Sequence, residues 1–522
     1  MGINFLPFER NTIVKKWRGR LPIALVFPNS YALGMANLGF LSLYESLNSY
    51  PEIVGERFFF EHNHQIRSVE SGNTLRDFPV ILFSVPFEGD FVNVLRILLR
   101  GGISLNPLER AQTVLGGGIA LWSNPEPISS FFDGFLLGEW EALEQRIVPL
   151  LIEKGWNKGE LLSALQSFDF FYSPVHFGKK RIKIVKAVPL QKPLLSKITS
   201  KKAEFGESYL LEVSRGCGRG CRFCLAGFIY RPPRKFSLES LLARAEEIPA
   251  GSKVGLIGLE FVDREEIWKV GEFLLQREVT LTFSSLRIDA LQENFLKLLR
   301  QTKSVALAPE VASYKLKKII NKDIDEGDIF RALENLQKSG IRKIKLYFMI
   351  GLPKEEEEDL YTLATFVKKL FQKKWRLQFN FSFAFFVPKP HTPFQWASFE
   401  DIKKLEEKSS LLRIELKGIP KIKFDSLYEA LLQAFLARGD ISLSEPLLRL
   451  AQGTPIKKLL RDLNTKNYLL NPPSKVDFPF PWDFIDTGVS KRYLYREWQR
   501  ALQGKVTPVC SPKSCRACGA CS

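Results

Sequence analysis

Short apolar runs alternate with amphipathic stretches along the first third of the chain. LPIALVFP at 21–28 is an unbroken apolar run closed by a proline, the pattern of a strand buried on both faces. NLGFLSLYESLN, from Asn37 to Asn48, spaces its apolar residues at helical intervals. PVILFSVP (79–86) and TVLGGGIA (113–120) predict two further buried strands, and FDGFLLGEWEALEQRIVPLLIEK (132–154) a short strand followed by a helix. This alternation predicts a doubly wound parallel sheet over residues 1–155. Ligands of such sheets bind at the carboxyl ends of the strands. NSYALGM (29–35), PFEG (86–89) and Gly116, Gly117 and Gly118 fall there.

Residues 156–205 read as a connecting segment with one helix and a basic stretch. Over 206–397 the alternation resumes, with strands expected at YLLEVS, KVGLIGL, VTLTFSSL, SVALAP, KIKLYFMIGLP and FNFSFAFFVP. Six strand–helix steps are too few for a closed eightfold barrel, so an open, partial (β/α)6 barrel is expected. Residues 398–505 are mainly helical in pattern, and 506–522 form a cysteine-rich tail. The whole is an α/β chain with a helical C-terminal region.

No run of eighteen or more apolar residues occurs, so a membrane span is not expected. The start, MGINFLPFERNTIVKKWRG, lacks the basic and apolar regions of a secretory signal, and the expected location is cytoplasmic. At 522 residues and 45% apolar content, the chain has material for more than one core. Formal net charge is +18 and concentrated: 179–202 holds nine Lys or Arg and no acid, and 215–235 six more. A polyanion such as RNA, or a ribosome, would be drawn to such a surface by counterion release. A solvated Lys-rich face is the alternative.

The seven cysteines fall in two places only. In a chain read as cytoplasmic, such clustering points to metal ligation and not to disulfides. SRGCGRGCRFC places Cys217, Cys221 and Cys224 as Cys-x3-Cys-x2-Cys directly after a strand. Structural zinc wants four ligands, so a zinc knuckle would lack one. Three thiolates suit three irons of a 4Fe-4S cubane whose fourth iron stays open to chelate a small molecule. Gly218 and Gly220 let backbone approach the cluster. The tail spaces Cys510, Cys515, Cys518 and Cys521 as Cys-x4-Cys-x2-Cys-x2-Cys, a complete tetrathiolate set for a second iron–sulfur cluster or for zinc.

The triplet, with Phe223 before its third cysteine, resembles the signature of the radical S-adenosylmethionine superfamily. The resemblance implies a 4Fe-4S cluster whose open iron binds S-adenosylmethionine, and one-electron cleavage to a 5′-deoxyadenosyl radical. It also implies an electron donor of flavodoxin or ferredoxin type. Gly258 and Glu260 resemble the element that meets the methionine amino group, although Leu259 replaces its central glycine. SSLRID suggests Ser285 and Arg287 near the methionine moiety, and APEVASYKLKKIINK suggests Glu310 facing the cofactor. Partnered charges on buried strands are the alternative for each. YFMIGLP resembles the fifth strand, near adenine.

The first sheet resembles the cobalamin-binding domains fused to one branch of this superfamily. The resemblance runs from about residue 10 to the end, and is close to an uncharacterised group with a cysteine-rich tail. It implies cobalamin held near Asn29, Tyr31, Gly34, Ser84, Gly116, Gly117, Gly118 and Glu139. Tyr31 replaces the cobalt-ligating histidine of that branch's motif, and none of the four histidines lies in this loop. Phenol is a poor substitute for an imidazole donor. A sheet that docks substrate without a corrinoid is the alternative. VPKPHTPFQW would form a rigid loop at the barrel mouth, where His391 would exchange a proton with substrate or serve as a satisfied loop histidine. Together these features imply radical modification of an unactivated carbon, with cobalamin-dependent methyl transfer first. Methylthiolation, another radical modification without cobalamin, and a non-catalytic RNA- or ribosome-associated metalloprotein are the competing readings.

Overall fold

The computed structural model describes residues 3–521 except 260, 262–263, 284–285, 292, 374, 464–469 and 513. The first sheet comprises β1 (Leu21–Phe27), β2 (Ile53–Phe59), β3 (Val80–Ser84), β4 (Thr113–Gly117), β5 (Gly134–Leu136) and β6 (Phe171–Tyr172). Their order is β2-β1-β3-β4-β5-β6, parallel through β5, with β6 antiparallel at one edge. One strand, β6, thus comes from the segment read as a connector.

β2 was not legible as a strand because IVGERFF carries a glutamate and an arginine in its middle. All seven residues are nevertheless buried. Arg57 pairs with Glu9 at 2.7 Å and Glu70 at 2.6 Å, and Glu56 accepts the Trp17 indole N–H at 2.6 Å. Paired charges enter a core where lone ones would not.

The second sheet begins with β7 (Leu195–Ser196), antiparallel to β8 (Tyr209–Glu212). Then follow β9 (Lys253–Ile257), β10 (Thr280–Phe283), β11 (Ser304–Glu310), β12 (Lys343–Ile350), β13 (Gln378–Phe385) and β14 (Ile422–Phe424). β8, β9 and β10 are parallel neighbours, as are β11 to β14, and a parallel bridge from Leu286 to Leu307 links the two groups. The six expected strands are β8 to β13. β14 is a seventh parallel strand, only three residues long and set among lysines.

One face of the first sheet shares an apolar cluster with Trp396, Trp482 and Trp498, so the C-terminal region covers it. The other face packs against Leu210 of β8. No helix among the described residues is long and apolar enough to cross a membrane.

Candidate active site

The cysteine loop leaves the sheet at the carboxyl end of β8. Ser214–Arg215 pairs antiparallel with Arg234–Lys235, so the loop and the helix Leu225–Ile229 leave and return through one short ribbon. Gly216 has φ +81°, and a Cβ there would stand 2.9 Å from the Tyr230 carbonyl oxygen. A side chain would block the turn that carries Cys217. The Cys224 N–H donates to the Cys221 carbonyl at 3.0 Å, and Cys224 begins the helix.

Long-range ties fix the loop. Arg222 is fully buried and donates to the last carbonyls of the helix Tyr314–Ile320, at Lys318 (2.8 Å) and Ile319 (3.0 Å). Helix C-terminal carbonyls lack intrahelical partners, so the guanidinium supplies what they need. The same group pairs with Glu497 at 3.2 Å and donates to the Lys505 carbonyl at 2.6 Å. Asn321 ends that helix in the left-handed conformation, φ +56°. Its amide donates to the carbonyls of Arg219 (3.3 Å), Gly220 (3.2 Å) and Thr507 (3.2 Å), and accepts the Thr507 N–H at 2.8 Å. Sequence reasoning missed Arg222, Asn321, Glu497 and Thr507. An Asn closing a helix with basic residues in its last turn was the available signal.

Several expected cofactor residues converge here. Arg287 Nη1 lies 3.7 Å from Cys221 Sγ, its guanidinium also paired with Asp289 at 3.0 Å. Glu310 ends β11 beyond an irregularity in the strand pairing, with φ +69°, and pairs with buried Lys322 at 2.9 Å. Non-glycine residues in this region carry backbone strain, which collects at functional sites. Gly258 abuts the loop's entry, for a Cβ there would meet Ser214 Oγ at 2.7 Å. Phe223 packs on the cluster holding Phe228 and Ile229. Burial, then neighbouring Cys221, pushes the Cys224 thiol up to about 11. A buried thiol of this kind becomes a thiolate when a metal takes the proton's place. Glu260 and Ser285 lie outside the described residues.

The tail sits directly on this loop. The Cys510 N–H donates to the Gly218 carbonyl at 2.8 Å, and the Ser490 N–H to the Cys518 carbonyl at 2.9 Å. Burial pushes the Cys510 thiol up to about 11, helped by Cys515, Cys518 and Cys521 and opposed by Arg231. Among the described residues no three His, Cys, Asp or Glu side chains form a cage for a single ion. A cubane spreads its thiolates wider than one ion does, and three thiols on a loop turning at Gly216 and Gly220 fit that donor set.

A cleft of about 960 Å³ opens at the carboxyl edge of both sheets. Asn29 follows β1 and Asp90 follows β3, the point where the strand order of the first sheet reverses and open α/β sheets bind ligands. Ala384 and Phe385, at the end of β13, and the helix Leu427–Arg438 form its opposite wall. Asp90 accepts the Asn29 amide at 2.7 Å, and burial pushes its carboxyl up to about 6. Glu88 accepts Gln433 at 2.9 Å and pairs with Lys389, bridging the units at the cleft.

The remaining candidates are placed otherwise. The Tyr31 hydroxyl is hydrogen-bonded to Glu9 (2.7 Å) and Ser200 (2.8 Å), and its ring stacks on Phe5. Gly34 faces the Phe59 ring, where a Cβ would overlap it at 2.2 Å. Ser84 is half-buried at the end of β3. Gly116 packs on Leu121, Gly117 lies beneath the Leu136 carbonyl, and Gly118 (φ +109°) lies against the Val85 backbone. Glu139 is buried between Arg234 (2.6 Å) and Arg215 (3.0 Å), which outweigh its burial and hold the carboxyl below its ordinary range. None of these seven lines the cleft. His391 is buried, with Nε2 3.1 Å from the Ser123 carbonyl and its pKa lowered by burial to about 4. The ring is thus buried and bonded to backbone, the surroundings expected of a satisfied loop histidine. The basic stretch is also partly spent: Lys179, Arg181 and Lys197 pair with Glu126, Asp486 and Glu247, while Lys180 and Lys186 donate to backbone carbonyls.

Residues 39–174 match the family model described as radical SAM proteins, N-terminal, and residues 211–367 the radical SAM superfamily model. An uncharacterized protein of Methanocaldococcus jannaschii is 30% identical over 428 residues, 81% of this chain and 90% of its own. Among solved structures, the cobalamin-dependent S-adenosylmethionine radical enzyme OxsB, with aqua-cobalamin and S-adenosylmethionine bound, aligns at 16% identity and TM-score 0.48, covering 92% of this chain and 66% of that one. Its apo form aligns at 18% identity and TM-score 0.47 over 66% of this chain, and there the chain spans 51% of that enzyme's length. Coproporphyrinogen III oxidase from Escherichia coli aligns at 15% identity and TM-score 0.30, covering 40% and 52% of the two chains.

Proposed function

The chain belongs to the radical S-adenosylmethionine superfamily, and from that premise we propose that Cys217, Cys221 and Cys224 hold its 4Fe-4S cluster and that the cleft between the sheets receives a corrinoid. The reaction in this reading is methyl transfer to an unactivated carbon. The observation that carries it is the thiol loop at the end of β8, with the Arg287 guanidinium 3.7 Å from Cys221. When bound, cluster and S-adenosylmethionine supply a one-electron cleavage that yields a 5′-deoxyadenosyl radical.

The chain's own residues support that chemistry. Arg287 places a guanidinium cation beside the Cys221 sulfur. Glu310, held by Lys322, offers a carboxylate for the cofactor's amino group. Arg222 and Asn321 hold the loop's backbone so that the three thiols keep their spacing. In the cleft, Asp90, Asn29, Asn93 and Gln433 provide polar contacts, and the volume is near the upper end for ligand pockets. The Tyr31 hydroxyl is already engaged with Glu9 and Ser200, so this side chain would not serve as a donor to a bound corrinoid.

The test is anaerobic reconstitution, with iron, sulfide, zinc and corrinoid quantified before dithionite and S-adenosylmethionine are added. Deoxyadenosine together with bound corrinoid supports the reading, and the electron paramagnetic resonance spectrum of the cobalt(II) form should lack nitrogen splitting from protein. Deoxyadenosine without corrinoid would leave the cleft to substrate alone, and absence of deoxyadenosine from a fully loaded protein with candidate substrates would sink the reading.

A further inference from the structure

We propose that the face formed by the helix Lys491–Leu502 and residues 503–512 and 514–521 docks an acidic one-electron carrier protein against the cysteine loop. The inference rests on the reading above, in which cleavage of S-adenosylmethionine consumes one electron. Residues 490–522 hold seven Lys or Arg and a single acid, Glu497, which is buried against Arg222. Lys491 and Arg500 have acidic partners in Asp483 and Glu497. Arg492, Arg496, Lys505 and Arg516 are exposed, and among the described residues none of these four makes an ion pair. Contacts draw helix and tail together: Arg496 donates to the Ala517 carbonyl at 3.2 Å, and Ser490 to that of Cys518 at 2.9 Å.

Amid these cations, Val506 and Val509 are 44% and 51% exposed. Exposed apolar side chains on a stretch whose exposed charges are of one sign suit a protein partner of the opposite sign. The patch also lies on the loop itself. A Cβ built on Gly218 would stand 3.5 Å from Val509 Cγ1, and the Cys510 N–H donates to the Gly218 carbonyl at 2.8 Å. Arg231 lies between the two thiol sets, 3.4 Å from a Cβ built on Gly220 and within electrostatic reach of Cys510 and Cys518. A carrier seated here would meet the chain where both sets of thiols approach its surface. A nucleic acid would call for a longer basic track, and five of the nine cations in 179–202 already have partners within the chain, three of them in surface ion pairs. In the overall step the carrier is oxidised by one electron and the sulfonium takes it up. Its S–C5′ bond then breaks to methionine and the 5′-deoxyadenosyl radical.

The test titrates an oxidised flavodoxin, which binds without turnover, against the reconstituted full chain on a sensor surface. In the double variant Arg496→Glu/Arg516→Glu the Kd should rise about tenfold, and salt at about 0.5 M should weaken wild-type binding similarly. Lys404→Glu, an exposed cation on the helix Ile402–Glu415, should bind as wild type. Dithionite needs no docking and should give equal deoxyadenosine from wild type and the double variant, while the flavodoxin-driven yield falls in the variant. Loss with both reductants in wild type would count against the radical reading, and the binding comparison would still decide the docking face. Unchanged flavodoxin affinity in the double variant overturns the proposal. So does an RNA oligonucleotide or a second copy of the chain that binds this face when flavodoxin does not.

Discussion

Cys217, Cys221 and Cys224 lie in a loop whose flanks are tied to distant parts of the chain by buried side chains, whereas Cys510, Cys515, Cys518 and Cys521 lie in a tail of short turns seated on that loop and on the helix Lys491–Leu502. The loop owes its shape to Arg222, Asn321 and the ribbon of Ser214–Arg215 with Arg234–Lys235. Within the tail, the Cys515 N–H donates to the Ser511 carbonyl at 2.8 Å and the Gly519 N–H to that of Arg516 at 3.3 Å. The two sets differ in what metal loss should do. A loop held by buried side chains keeps its form without metal, while a tail of short turns at the chain's edge depends more on its ligand.

Substituting one thiol in each set should give the largest effects and separate the two. Cys221→Ala should abolish deoxyadenosine formation and remove about four irons while the tail keeps its metal. Cys518→Ala should leave the loop's iron in place and lose the tail's metal, and metal analysis with tail proteolysis reads both. Equal metal loss from both variants would mean a single shared site and erase the comparison.

Next in size is the tie between them. Arg222→Met removes the buried cation from Glu497, which keeps Thr507 and Arg500, and leaves the carbonyls of Lys318, Ile319 and Lys505 without this donor. Breaking a buried ion pair on one side costs about 3–5 kcal/mol. Thermal unfolding should show a lowered Tm, together with faster proteolysis near Lys505. A Tm near that of wild type would show that the loop does not depend on this tie.

The smallest effect concerns His391. Its folded pKa is depressed to about 4, below the ordinary 6.5, so the unfolded chain binds a proton that the folded one refuses. The stability from keeping this ring neutral is full above about pH 6.5 and declines as pH falls toward 4. His391→Asn should flatten denaturant midpoints across that window, which a pH series of unfolding curves measures. A variant that keeps the slope would place the titration elsewhere.

Much of the architecture was legible because long apolar runs have few alternatives to a buried strand. β1, β3 and β4, and β8 to β13, each announced themselves by unbroken or alternating apolar residues. β2 did not, since its core position depends on Glu9, Glu70 and Trp17 arriving from elsewhere to satisfy Arg57 and Glu56. Glu139 and His391 read as candidate site residues because a buried polar group and a ligand-binding one look alike in one dimension. Only their partners, two arginines and a backbone carbonyl, distinguish them.

The sequence by itself determined which side chains are available for chemistry: three thiols at fixed spacing after a strand, four more at the end, and no histidine in the Asn29–Gly34 loop. Spacing and residue type are local properties, and local geometry suffices to read them. The tertiary structure alone decided that the last thiols rest on the first, that Arg287 and Glu310 join them, and that Asn29 and Asp90 share a cleft with the end of β13. Such meetings depend on how sheets and helices pack. Packing sums many weak contacts between segments hundreds of residues apart, and no single stretch of sequence contains that sum.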